Sequence, residues 1–210
     1  ALEAWSTIHN CLSQAGLSAS LEIYYGFTQH DEHLAENDPS YRKWMSQILQ
    51  ATQTLRSKGV KYIGMVGHQE LARAMAAAGF VLYPTVYPET SCISLMKAQA
   101  MGAIPITSRF NGSALPETAQ FDVGPDPIPS RVDDTGRTVA DMNKDWLKRW
   151  AARVCYVSGA FGKSKADQVV QELYGDPSLS VQYHRERMKV WARHKFDWAS
   201  VAREWHATFE

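Results

Sequence analysis

Two short, continuously apolar runs constrain this chain more than anything else in it. Phe80-Val81-Leu82-Tyr83 is stopped by Pro84, and Ala103-Ile104-Pro105-Ile106-Thr107 follows a helical stretch over 91–101. Runs without polar alternation are strands covered on both faces, and parallel strands need a helical crossover between them. Two β-rich runs lie upstream, Leu21-Glu22-Ile23-Tyr24-Tyr25 ending at Gly26 and Val60-Lys61-Tyr62-Ile63-Gly64. Helical spacing places Leu2, Trp5, Ile8 and Leu12 on one face of 2–15, with Gly16 as a stop, and Trp44, Ile48 and Leu55 on one face of 40–57. A further helix is predicted over 69–78. Strands alternating with helices define an α/β chain, expected to be a Rossmann-like doubly wound parallel sheet with a C-terminal helical tail.

Some segments read differently. The acidic stretch with Asp31, Glu32, Glu36 and Asp38, closed by Pro39, predicts a polar loop. Residues 111–138, rich in Pro, Gly and Asp, predict a surface excursion. The remainder, 139–209, predicts three helices, with Trp146, Trp150, Trp191, Trp198 and Trp205 as amphipathic anchors on the sheet. No repeat or linker divides the 210 residues, so residues 1–210 are expected to form one domain with one core.

Composition narrows the function classes. Twenty-two basic residues balance 22 acidic ones, which gives no electrostatic reason to expect nucleic acid or an anionic membrane as partner. No apolar run approaches the ~20 residues that span a bilayer, so no transmembrane segment is expected. Cys11, Cys92 and Cys155 lack paired spacing, which suits a reducing, cytoplasmic compartment. Ala1-Leu2-Glu3-Ala4-Trp5 reads as an amphipathic helix entered midway, so a natural chain continuing upstream is expected. Without a secretory signal, Asn111-Gly112-Ser113 is read as a turn rather than a glycosylation acceptor.

Three chemical signals fail. Gly162-Lys163-Ser164 shares residues with a phosphate loop, but Val157 occupies the required upstream glycine position and no strand precedes it. Gln29-His30-Asp31-Glu32-His33 offers two imidazoles without a third ligand in reach, so no metal site is expected. Nothing marks a nucleophile elbow for Ser-His-Asp or Cys-His chemistry.

The informative stretch runs from Tyr83 to Ile106. A buried strand ends at Pro84, a short loop carries the carboxylate of Glu89, and a helix is predicted to begin near Thr90 and Ser91, whose hydroxyls suit capping. In a doubly wound sheet ligands bind beyond the carboxyl ends of strands, and a helix starting there turns free N–H groups and its positive dipole end toward them. Small side chains at Ser91, Cys92 and Ser94 would let a diphosphate approach the backbone.

These residues resemble the C-terminal, donor-binding domain of retaining GT-B glycosyltransferases of family 4. Pro84-Thr85, Glu89, Ala98-Gln99-Ala100-Met101-Gly102 and Pro105-Ile106 fall in register with that family's central motif. Tyr62-Ile63-Gly64-Met65-Val66 with Glu70-Leu71 looks like its Gly-x-Val loop, and Val190-Trp191-Ala192 with Phe196-Asp197-Trp198 resembles its closing helices. The resemblance implies one half of a GT-B fold, with a nucleotide-sugar donor as ligand, transfer to an acceptor hydroxyl with retention, and no cofactor or metal. It assigns Glu89 to the donor sugar's hydroxyls. It assigns the backbone at Thr90, Ser91, Cys92 and Ile93 to the diphosphate, and the loop at Met65 and Val66 to the base, with His68 a weak further candidate there.

The chain departs from the family twice. Lys97 stands where the family has a ribose-binding Glu, and a cation cannot accept from hydroxyls. The family's first strand of this domain, the cations after it, and the acceptor-binding N-terminal domain would all precede Ala1, so an N-terminal domain in cis is the implied partner. A full-length form would be cytoplasmic or membrane-peripheral. The rival expectations are a degenerate glycosyltransferase-like binding module without catalysis and, more remotely, a sugar-nucleotide epimerase of the same architecture.

Overall fold

The computed structural model describes residues 1–110, 112–136 and 138–209. Asn111, where a turn is expected, and the side chain of Trp205 lie outside the described residues. The chain is mixed α/β and divides into two compact units, Ala1–Leu71 and Ala72–Glu210.

In the first unit α1 (Leu2–Gln14) buries Ala4, Trp5, Ile8 and Leu12, the stripe its spacing predicts. The Trp5 indole N–H donates to the Lys58 carbonyl at 2.8 Å. β1 (Leu21–Tyr24) pairs in parallel with β2 (Val60–Gly64), Leu21 opposite Val60. Between them the expected polar loop is a helix, α2 (Gln29–Asn37), followed by α3 (Pro39–Thr54). Apolar periodicity misses α2 because only Ala35 is buried. Its origin is a capping box, in which the Thr28 hydroxyl accepts from the Asp31 amide while the Asp31 carboxylate accepts from the Thr28 amide at 2.7 Å. Hydrogen bonds from Thr28 and then Tyr41 hold the Asp31 carboxyl down at about 2. Pro39 opens α3 at a position where its missing N–H costs nothing. α4 (His68–Ala77) begins in the first unit and ends in the second.

The second unit opens with β3 (Phe80–Tyr83), α5 (Ile93–Met101) and β4 (Ile104–Thr107). β3 and β4 pair in parallel, Phe80 opposite Ile104 and Tyr83 opposite Thr107, and every residue of β4 is buried. Gly102 closes α5 in the left-handed region (φ 101°), where a side chain would also meet Lys189 Cδ at 3.0 Å. The segment expected to wander over the surface instead contributes α6 (Leu115–Thr118) and an antiparallel pair, β5 (Ser130–Val132) with β6 (Thr138–Ala140). Leu115, Ala119, Val123 and Ile128 are buried there. What draws them in is long-range hydrogen bonding, Val123 N–H to the Pro105 carbonyl (3.0 Å) and Ile128 N–H to the Arg109 carbonyl (2.7 Å).

Where three closing helices are expected, the described residues form four: α7 (Lys144–Val157), α8 (Lys163–Tyr174), α9 (Val181–Lys195) and α10 (Trp198–Phe209). Gly162 and Gly175 bracket α8 and separate it from its neighbours. α9 packs against α5, and its cations cap carbonyl ends of other helices. Arg193 Nε donates to the Ala100 carbonyl at 2.9 Å, and Arg185 reaches the Ala78 carbonyl at 3.2 Å, each placing positive charge at a helix C-terminus. Trp146 and Trp150 are fully buried, as anchors should be, and Trp191 packs its ring on Phe121. Trp198 is no anchor: it is the first residue of α10 and 85% exposed.

Candidate functional site

Glu89, Thr90, Ser91, Cys92, Ile93 and Lys97 all lie in the second unit, on the loop after β3 and on α5. Pro84 ends the strand, and the chain loops to α5. That loop is fastened at three points. The Ser108 hydroxyl, just beyond β4, accepts from the Thr85 amide at 2.6 Å. Ala114 N–H donates to the Glu89 carbonyl at 2.7 Å, tying the loop to the start of α6. The Tyr83 hydroxyl donates to Glu89 Oε1 at 2.5 Å.

Glu89 is therefore half-buried and held by one carboxylate oxygen. Burial first, and the bond to Glu89 second, push the Tyr83 phenol far above its ordinary range, so it remains a protonated donor throughout the neutral range.

α5 starts at Ile93, two residues later than the Thr90-Ser91 start that the hydroxyls suggest. Cys92 is its N-cap and makes no side-chain capping bond, and Thr90 and Ser91 are exposed. The reason lies in packing: the Cys92 side chain is drawn into a cluster with Leu95, Leu115 and Ala119, against which Val81 and Tyr83 pack. That burial raises the thiol's pKa, so Cys92 serves the core with its side chain and can serve a ligand only with its backbone. The backbone N–H groups of Thr90, Ser91 and Ile93 donate to no group among the described residues. Ile93 is 62% exposed, and Lys97 lies on the same exposed face one turn further along.

Met65 and Val66 belong to the first unit, where they follow β2. Met65 is 61% exposed and Val66 half-buried, and His68 is the exposed first residue of α4. Gly162 and Ser164 sit at the amino end of α8 between two helices, in keeping with the rejected phosphate loop. Among the described residues no His, Cys, Asp or Glu cluster is placed to hold a metal. No helix among them is long and apolar enough to cross a membrane.

Three groups complete this loop that the sequence alone does not single out: Tyr83, Ser108 and the Ala114 amide. Tyr83 carried one clue, a polar-tipped aromatic closing an apolar strand, since a buried Tyr hydroxyl usually finds a partner. Ser108 and Ala114 carried none, because their roles depend on contacts across 23 and 25 positions of chain. In comparison with known proteins, the chain matches no family model, no curated protein and no solved structure.

Proposed function

We propose that this chain is the donor-binding half of a retaining GT-B glycosyltransferase, moving a sugar from a nucleoside diphosphate to an acceptor hydroxyl. The observation that carries the proposal is the pairing of a fixed carboxylate, Glu89, with the open amino end of α5 beyond the carboxyl end of β3, a half-buried strand paired in parallel with β4. Glu89 would bind the sugar's hydroxyls, and the unpaired N–H groups of Thr90, Ser91 and Ile93 would hold the diphosphate. Stabilising the departing diphosphate with oriented N–H groups and the Lys97 ammonium is electrostatic catalysis, and it needs no metal or cofactor from these residues.

In this proposal the strands belong to a Rossmann-like doubly wound sheet, and a second domain supplies the acceptor, so the 210 residues alone bind donor better than they turn it over. Free thiols at Cys11 and Cys92 suit a cytoplasmic enzyme. Lys97 in place of an acidic ribose ligand favours one rival, a binding module of the same fold that has lost catalysis.

Titration with UDP, GDP and ADP in the absence of divalent ions, followed by amide NMR shifts, tests the proposal. Perturbations are expected at 89–97. Perturbation confined to 111–138 would overturn it.

A further inference from the structure

We propose that Tyr83 is a positioning residue for Glu89, holding one carboxylate oxygen so that the other is presented alone to the sugar of a nucleoside diphosphate sugar. The inference rests on the reading of the Glu89 loop as the donor site and adds how that site recognises the sugar.

Three observations support it. First, the anchor is rigid. Tyr83 is the last residue of β3, paired with Thr107 of β4, and its ring packs on the Cys92, Leu95, Leu115 and Ala119 cluster. Second, the carboxylate is fixed at both ends. Ala114 holds the Glu89 backbone through its carbonyl, and the Tyr83 hydroxyl holds Oε1. A Glu side chain otherwise loses considerable rotamer freedom when it is ordered by a ligand, so fixing it beforehand favours binding. Third, a carboxylate has two acceptor oxygens, and Oε2 has no partner among the described residues.

A single fixed, anionic oxygen accepts from hydroxyls and repels another anion. The geometry therefore suits a neutral hexose and disfavours a sugar acid.

The test is calorimetry on the 210-residue chain with UDP-glucose, GDP-mannose and ADP-glucose, each against its parent diphosphate, plus UDP-glucuronate. Wild type should prefer at least one neutral sugar nucleotide over its diphosphate. Tyr83→Phe, which keeps the ring, should weaken that sugar nucleotide by about five- to tenfold, the worth of one hydrogen bond, and leave the diphosphate within about twofold. In a Glu89→Ala background Tyr83→Phe should add nothing further.

Equal weakening of sugar nucleotide and diphosphate would make Tyr83 merely structural and overturn the inference, as would an unchanged preference in a folded Tyr83→Phe. If Tyr83→Phe does not fold, Glu89→Gln decides. It can still accept from Tyr83 but turns an amide N–H₂ toward the sugar, and an undiminished sugar preference would overturn the inference. Wild type binding none of the diphosphates would instead reject the donor site itself.

Discussion

The Ser108 hydroxyl accepts from the Thr85 amide at 2.6 Å and donates to the Thr85 carbonyl at 2.5 Å, so one side chain joins the loops leaving β3 and β4. Ser108 is fully buried, and removing its oxygen leaves two backbone groups to find other partners. Ser108→Ala is expected to cost about 1–3 kcal/mol, read as a lower urea midpoint with unchanged m value. Because the same loop carries Glu89, diphosphate binding should weaken at temperatures where the variant remains folded. A variant as stable as wild type would show that water replaces the hydroxyl without cost.

Lys97 is the position where the sequence parts from the family it resembles. Side chains on a helix lean toward its amino end, so Lys97 can direct its ammonium along the exposed face past Ile93 toward the open N–H groups. Lys97→Ala is expected to weaken UDP, GDP or ADP binding by about 1.5–3 kcal/mol, the range for a charge-assisted hydrogen bond. Lys97→Glu should weaken it further by repelling phosphate. Tighter binding by Lys97→Glu would mean that the lysine has displaced ribose recognition. No change in either variant would make it a surface lysine. Calorimetry distinguishes the three.

The β3–α5–β4 unit was legible because each of its signals is local: unbroken apolar runs on either side of a helical stretch, and Pro84 as a stop. What escaped depended on other physics. α2 has almost no buried face, and its signal was the Thr28-to-Asp31 capping box rather than periodicity. The start of α5 followed the burial of Cys92 rather than the capping preference of Thr90 and Ser91. Residues 115–128 look like a loop by composition and are core by contact, since Leu115 and Val123 are apolar side chains spaced by no regular period. In the candidate site, Glu89 could be named from sequence, while Tyr83, which fixes it, could not.

Asp122 is the group on which that buried segment depends. Its carboxylate accepts from the Thr107 amide (2.9 Å), the Thr107 hydroxyl (2.7 Å) and the Gly124 amide (2.8 Å), and Arg109 Nε stands 3.7 Å away. A side chain at Gly124 would come within 2.6 Å of the Thr107 carbonyl, so the segment closes tightly on the end of β4. Asp122→Ala leaves the Thr107 amide and hydroxyl and the Gly124 amide without their acceptor beside a half-buried Arg109, and is expected to cost about 1–3 kcal/mol. A thermal midpoint that barely moves would show that the closure does not depend on this carboxylate.

His184 provides a pH test of the core. It is 1% exposed on α9, its ring set 5.1 Å from Phe121 and 4.7 Å from Tyr174. Nε2 lies 3.0 Å from the Phe121 carbonyl, which can only accept, so Nε2 carries the proton of a neutral imidazole. Burial chiefly, with Arg187 adding to it, lowers the pKa below the ordinary 6.5, although the Phe121 bond pulls the other way. The unfolded chain therefore takes up a proton at His184 as pH falls through about 6.5, and the folded chain does not. Its contribution to stability is full above that value, declines below it by up to about 1.4 kcal/mol per pH unit, and levels off once the folded-state pKa is passed. His184→Gln keeps a donor for Phe121 but cannot titrate, so the urea-derived stability of wild type minus variant should decrease between about pH 6.5 and 5. The difference isolates His184 from the other histidines, and a flat difference curve would show that the imidazole charges in place.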